Sequence, residues 1–151
     1  MTDELQLSTT FLYPRFVAVK VARVLSQIRT HMDDQAAIKD EEVVGMVRTD
    51  SIIIRLINQA HSALRFDIGP VIMQEAISSL PHGISVIAFY HSHPAGDIHP
   101  SPLDQASMAE QFDAGFQMPW LIVTPETARL WWMDPTYRTF ASWEVPVAVN
   151  A

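Results

Sequence analysis

The chain of 151 residues contains no cysteine. This absence excludes disulfide-stabilised scaffolds, catalysis by a thiol and every metal site that uses cysteine ligands. It is compatible with any redox compartment. The length favours one domain, and we predict a single domain over residues 1–151. With 48% hydrophobic residues, a chain of this size buries enough surface to fold without a cross-link or a structural metal.

Basic residues are also scarce. The sequence has 10 Lys and Arg against 17 Asp and Glu, which gives a net charge of −7 when histidine is neutral. A surface of this sign repels phosphate backbones, and no cluster of basic residues offsets it. We therefore expect no nucleic-acid partner.

Long hydrophobic runs are missing as well. The apolar stretch at 84–90 is far shorter than the roughly 20 residues that a membrane-spanning helix needs. The first residues, Met1 to Glu4, are acidic, whereas the start of a signal peptide is basic. These features predict a cytoplasmic protein with no membrane partner.

Apolar periodicity indicates both helices and strands. Helices are predicted at 16–29, at 73–80 and at 102–114, the last with Leu103, Ala106, Ala109 and Phe112 as its inner face. Strands are predicted at 43–47, 51–57, 65–68, 84–90, 120–123, 128–133 and 137–143, and the tail from Pro146 is expected to be poorly ordered. Helices and strands that alternate in this way favour an α+β domain or a three-layer arrangement of sheet and helices.

The segment 84–90 is the most informative of these strands. Its nearly continuous apolar character predicts a strand that is buried on both faces. Two histidines, His91 and His93, follow at its C-terminal end. Residues two apart in a strand point to the same face, so both imidazoles can converge on one metal ion.

A carboxylate completes this candidate metal site. Asp104 lies at the start of the next predicted helix, where the loop returns the chain. Two histidines and one carboxylate leave the fourth tetrahedral position open for water, which suits a catalytic zinc. Zinc lowers the pKa of such a water to about 7, so hydroxide becomes available at neutral pH.

A hydrolase with this site also needs a base and a group that stabilises the oxyanion. Glu42 precedes the strand at 43–47 and is placed to serve as the base. Ser101, in the loop before Asp104, is placed to donate a hydrogen bond to the oxyanion. Glu41 lies beside Glu42, and the residues alone do not distinguish the two.

Together these residues resemble the motif of the JAMM metallopeptidases, also called MPN-plus or JAB proteins. The matching pattern is Glu42-x-x-Gly45, then His91-x-His93-Pro94, six residues, and Ser101-x-x-Asp104. The resemblance implies a three-layer fold with a mixed sheet flanked by helices, similar to that of cytidine deaminases. Val44 stands where many members carry cysteine, at a packing position.

The resemblance also implies a role for each residue. His91, His93 and Asp104 bind Zn²⁺, Glu42 is the general acid and base, and Ser101 stabilises the tetrahedral intermediate. The family hydrolyses a peptide or isopeptide bond, often next to the C-terminus of a ubiquitin-like protein. The implied partner is therefore a protein or peptide substrate, and the oligomeric state stays open.

Other interpretations remain for the same residues. The segment 101–104 is typical of a helix N-terminus with a capping box, which explains Asp104 without a metal but is compatible with one. Glu42, Asp97 and His99 also fit solvated loops, whereas Tyr90 and the tryptophans are expected in the core. Two alternative functions are a non-catalytic MPN-like interaction module and a phage tail-assembly protein, the latter from a weak similarity at 119–123.

Overall fold

A computed structural model describes residues 15–38, 41–58, 68–94, 96–134, 136 and 138–146. Four helices are described, and the first covers residues 15–22 (α1). The others are α2 (Leu25–Ala36), α3 (Pro70–Ser78) and α4 (Pro102–Asp113). The six strands are β1 (Val44–Arg48), β2 (Ile53–Leu56), β3 (Val86–Ser92), β4 (Trp120–Val123), β5 (Ala128–Met133) and β6 (Phe140–Glu144).

The strands form one mixed sheet in the order β2-β1-β3-β4-β5-β6. Only β3 and β4 run parallel, and every other neighbouring pair is antiparallel. The central strand β3 is buried from Ile87 to Ser92, which confirms the prediction of a strand covered on both faces. It extends two residues further than predicted, so His91 lies within the strand.

Helices cover both faces of the sheet. On one face, Val17, Val21 and Ile28 of the first two helices pack against Tyr90 and Leu121. On the other face, Met73 of α3 and Met108 of α4 pack against residues such as Met46, Phe89 and Trp120. The three-layer α+β prediction is confirmed. In the described part of the chain, no helix has the length and apolar character that crossing a bilayer requires.

The helix predicted at 16–29 is wrong in its extent. The chain turns at residues 23–24, where the backbone N–H groups of Arg23 and Val24 each donate to the carbonyl three residues earlier. It then continues as α2 to Ala36. Apolar periodicity stops after Ile28 because the next buried position is His31, a polar residue. The apolar periodicity therefore does not extend over the last two turns of α2, and the prediction ended too early.

The predicted inner face of α4 is also wrong. Leu103 is 54% exposed and Ala106 is exposed, whereas Asp104, Met108 and Gln111 are buried. Two of these buried residues are polar and have specific partners. The Gln111 Nε2 atom donates to the Ile68 carbonyl at 2.7 Å, and Asp104 caps the helix. A prediction based on apolar residues alone therefore assigned the wrong face of α4 to the core.

The remaining strand boundaries differ in smaller ways. The strand predicted at 137–143 begins at Phe140. Just before it, the Arg138 N–H donates to the Asp134 carbonyl at 2.8 Å, and Arg138 has a φ of 58°, which is not a strand conformation. The strand predicted at 51–57 is shorter, at 53–56. Most of the strand predicted at 65–68 lies outside the described residues, and Ile68 is not in a strand. The tail after Pro146 lies outside the described residues, so its poor order stays a prediction. The single domain over residues 1–151 stays a prediction as well.

The aromatic residues have packing roles. Trp120 is buried in β4 against Phe89, with ring centroids 4.9 Å apart. Tyr90 is fully buried, and its ring lies over Gly45, where a Cβ would overlap the ring and the Ile54 carbonyl. The missing side chain at Gly45 therefore lets β1 and β3 pair beside a tyrosine.

A buried polar pair joins β3 to α2. The Tyr90 hydroxyl lies 2.7 Å from His31 Nδ1. Burial, together with the charge of Arg55, lowers the pKa of His31 to about 4, although Asp34 opposes this shift. His31 is therefore neutral at pH 7 and accepts a hydrogen bond from Tyr90.

This pair predicts a loss of stability in acid. Histidine in the unfolded chain titrates near pH 6.5, so below that pH the unfolded state binds a proton that folded His31 takes up only near pH 4. Stability therefore falls as the pH drops through this window. We expect the free energy of unfolding in urea to fall less between pH ~7 and ~5 in His31→Gln than in the wild type or in His82→Gln. An identical pH dependence in all three proteins would contradict this prediction.

Candidate metal centre

Four ionisable side chains meet at the C-terminal end of β3: Glu42, His91, His93 and Asp104. His91 lies in β3 opposite Val44 of β1, and Glu42 comes two residues before Val44. His93 follows directly after the strand, where its N–H donates to the Val123 carbonyl at 2.9 Å. The antiparallel pairing of β1 with β3 therefore brings the remote glutamate to the two histidines.

The four side chains are close together and shielded from water. One ligand atom from each lies within 4.8 Å of the others. Asp104 Oδ2 is 2.7 Å from His93 Nε2 and 3.5 Å from His91 Nε2. His91 and Asp104 are fully buried, and Glu42 is 2% exposed. Glu41, the neighbouring acid, is only half-buried and is not in this cluster.

A backbone carbonyl orients His93. Its Nε2 lies 2.7 Å from Asp104 Oδ2, and its other ring nitrogen, Nδ1, donates to the carbonyl of Asp97. Such a hydrogen bond on the far nitrogen is the usual support of a metal-binding histidine. The side chains of Asp97 and His99 are about 70% exposed, as expected for a solvated loop. The supporting atom belongs to the backbone, so no residue type in the sequence could have revealed it.

The capping box at the start of α4 is present. Ser101 Oγ accepts from the Asp104 N–H at 3.0 Å, and Asp104 Oδ2 accepts from the Ser101 N–H at 3.1 Å. The same carboxylate therefore caps the helix and faces both histidines. Cap and candidate ligand are two roles of one residue. The cap also fixes Ser101 beside the cluster, with its O–H proton available to another acceptor.

Burial and neighbouring charges perturb the pKa values of the cluster. Burial, with the nearby charge of Asp104, raises the pKa of Glu42 to about 8, although His93 opposes this rise. Burial raises the pKa of Asp104, but hydrogen bonds to His91 and His93 hold it well below its usual range. Burial lowers the pKa of His91. For His93 burial acts in the same direction, but hydrogen bonds to Asp104 and Asp97 leave its pKa raised.

The donor set fits a divalent metal ion. Among the described residues, the buried atoms Glu42 Oε1 and Asp104 Oδ1 have no hydrogen-bond partner, and buried carboxylate oxygens without partners are costly unless a cation satisfies them. Ligands about 2.0–2.1 Å from a tetrahedral zinc are about 3.3 Å apart. The 3.5 Å between His91 Nε2 and Asp104 Oδ2 is close to this spacing. Imidazole and carboxylate ligands suit zinc.

A groove of about 450 Å³ opens beside the cluster. It lies between the end of α2 and the end of β2, and Glu42 forms part of its wall together with Glu41, Arg55 and Asn58. Ile38 and Ile57 line it and are 82% and 68% exposed. A ligand in this groove would contact Glu42 directly.

Comparison with known proteins agrees with this geometry. No curated protein matches the sequence significantly. Residues 21–134 match the family described as prokaryotic homologs of the JAB domain. The matched range covers more than half of the chain and includes all four residues of the cluster. The chain therefore belongs to the family of prokaryotic JAB-domain homologs.

Proposed function

We propose that this protein is a zinc-dependent peptidase or isopeptidase of the JAMM type. The observation that carries the proposal is a buried glutamate within 4.8 Å of a His-His-Asp ligand set. Family membership supports the same reaction class. Three protein ligands that leave a fourth position open, with a carboxylate beside them that can act as a base, suit metal-assisted hydrolysis.

His91, His93 and Asp104 would hold the zinc, and Glu42 would remain outside the ligand set. When bound, zinc supplies Lewis-acid chemistry, because it polarises a carbonyl and lowers the pKa of a water. The hydrogen bond from His93 to Asp97 and the capping contacts of Asp104 hold two of the ligands in place.

Glu42 would move the proton. Its Oε1 is buried and accepts no hydrogen bond from the described residues, so this oxygen is available to a water in the site. The carboxylate takes a proton from the attacking water and donates it to the leaving amine. Ser101 would donate its O–H to the carbonyl oxygen of the substrate as negative charge develops there.

The substrate we propose is a peptide or the C-terminal segment of a protein, including a ubiquitin-like protein. The groove supports a peptide ligand, because Glu42 lines it together with residues at the end of β2. Its lining residues Arg55, Ile38 and Ile57 are all exposed and offer both polar and apolar contacts.

Removal of two ligands should remove the metal. We expect about one zinc per chain in the wild type and little in the double variant His91→Ala/His93→Ala, measured by elemental analysis. The double variant His82→Ala/His99→Ala, which alters two exposed histidines, is the matched control and should keep its zinc. Absence of zinc from all three proteins would contradict the proposal and favour the non-catalytic interaction module.

Loss of the proposed base should separate metal binding from catalysis. Glu42→Gln keeps the shape of the side chain but cannot take a proton. We expect full zinc content and a fall in kcat of about 10²–10⁴-fold, measured on a panel of peptide, isopeptide and ubiquitin-fusion substrates. Glu41→Gln is the control and should stay active. An active Glu42→Gln variant, or a zinc-loaded wild type that cleaves no substrate, would contradict the proposal.

Replacement of Ser101 by alanine should slow the reaction because the hydroxyl donor is lost. Ser101→Ala removes the proposed donor, and we expect kcat to fall by about 10²–10³-fold. It also removes the helix cap, at a cost of about 1 kcal/mol in the free energy of unfolding. Ser101→Thr keeps the hydroxyl and should retain most of the activity. Equal kcat values for the alanine and threonine variants would argue against this role.

A further inference from the structure

One peptide unit beside the candidate site is held on both sides by buried side chains. This unit joins Glu42 to Val43. Its carbonyl oxygen accepts from Asn58 Nδ2 at 3.2 Å, and its N–H donates to Ser92 Oγ at 2.9 Å. The backbone N–H of Ser92 also donates to the Val43 carbonyl at 3.0 Å.

Both side chains come from strands next to β1. Asn58 lies two residues after the end of β2 and is 5% exposed, and Ser92 is the last residue of β3 and is 1% exposed. The strand β1 begins only at Val44, and its register with both neighbours starts there. Since regular strand pairing does not reach this peptide, the two side chains supply the contacts that a ladder would otherwise provide.

The orientation of this peptide affects the direction of the Glu42 side chain. With this peptide held in place, rotation about the Cα–C bond of Glu42 would swing its Cβ and carboxylate relative to β1, so the direction of the side chain depends on how firmly the peptide is held. Ser92 lies between His91 and His93, so one residue links this peptide to both candidate ligands. A serine side chain at this strand position points away from the face that the histidines share.

We propose that Ser92 and Asn58 are positioning residues that fix the Glu42 carboxylate relative to the metal ligands. This inference rests on the proposed function, because it assigns the two residues to the proton transfer that Glu42 performs. Neither side chain touches the reacting atoms in this proposal. Their effect passes through the peptide between Glu42 and Val43.

The first test compares Ser92→Ala with Ser92→Thr, which keeps the hydroxyl. The alanine variant leaves a buried N–H without its acceptor, so the peptide turns or admits water. We expect zinc content to stay at the wild-type level, kcat to fall at least about 10-fold and KM to stay within about twofold. Ser92→Thr should recover most of kcat. Asn58→Ala tests the other contact and should change the same parameters in the same direction.

A double-variant comparison separates positioning of Glu42 from a general structural effect. In the Glu42→Gln background, Ser92→Ala should reduce the residual kcat by less than about twofold, because the group that it positions is already absent. An equal fall in both backgrounds would overturn the proposal. Unchanged kcat in Ser92→Ala, or loss of zinc from it, would overturn the proposal as well.

A second readout does not depend on activity. In the zinc-loaded protein, the Val43 amide should exchange with solvent at least about 10-fold faster in Ser92→Ala than in the wild type. The ¹³C resonance of the Glu42 carboxyl should shift in the same variant. Ser85→Ala, at an exposed serine before β3, should change neither. Faster exchange with an unmoved Glu42 resonance would overturn the positioning role, whereas a wild type without hydrolysis would overturn only the proposed function.

Discussion

The buried pair of carboxylates is the constraint on which the candidate site depends. Glu42 and Asp104 lie within 4.8 Å of each other's ligand atoms and are almost fully removed from water. Two negative charges at this depth repel each other and lose their hydration. The raised pKa of Glu42 reflects this cost. Protonation of Glu42 or His93, whose pKa values are both raised, relieves part of this cost, and a divalent cation relieves it as well. The same arrangement therefore explains both the unfavourable electrostatics and the fit of the four side chains to a divalent metal ion.

The fold brings these groups together through local features of each element. The pairing of β1 with β3 places the residues before one strand beside the residues after the other. The N-terminal turn of α4 then presents Asp104, whose carboxylate the Ser101 cap holds. Each contribution comes from the end of an element, where the backbone has unpaired donors and acceptors. The polar side chains Ser92, Asn58 and Ser101 satisfy these groups. Capping and positioning contacts are thus part of the site.

Much of this arrangement could be predicted from the sequence. The apolar strand at 84–90, the spacing from His91 to Asp104 and the capping pattern at Ser101 are all local signals, and the structure contains each of them. Buried polar residues were not predictable in this way. His31 and Gln111 lie on inner faces, but hydropathy places such residues outside, and their partners are distant in sequence. The Asp97 carbonyl and the contacts of Asn58 are likewise visible only when the chain is folded.

The two faces of β3 show how consecutive polar residues can both be buried. Tyr90 points to the face covered by α2, and His91 points to the opposite face, towards Asp104. On the first face a neutral histidine satisfies a tyrosine hydroxyl, and no net charge is buried. On the second face two acids and two histidines are buried together, and this donor set suits a divalent cation. Gly45 permits the first arrangement because its missing side chain leaves room for the Tyr90 ring. Gly45 lies only three residues after Glu42. The close approach of β1 to β3 therefore allows Tyr90 to pack on one face of the sheet and brings Glu42 to the histidines on the other.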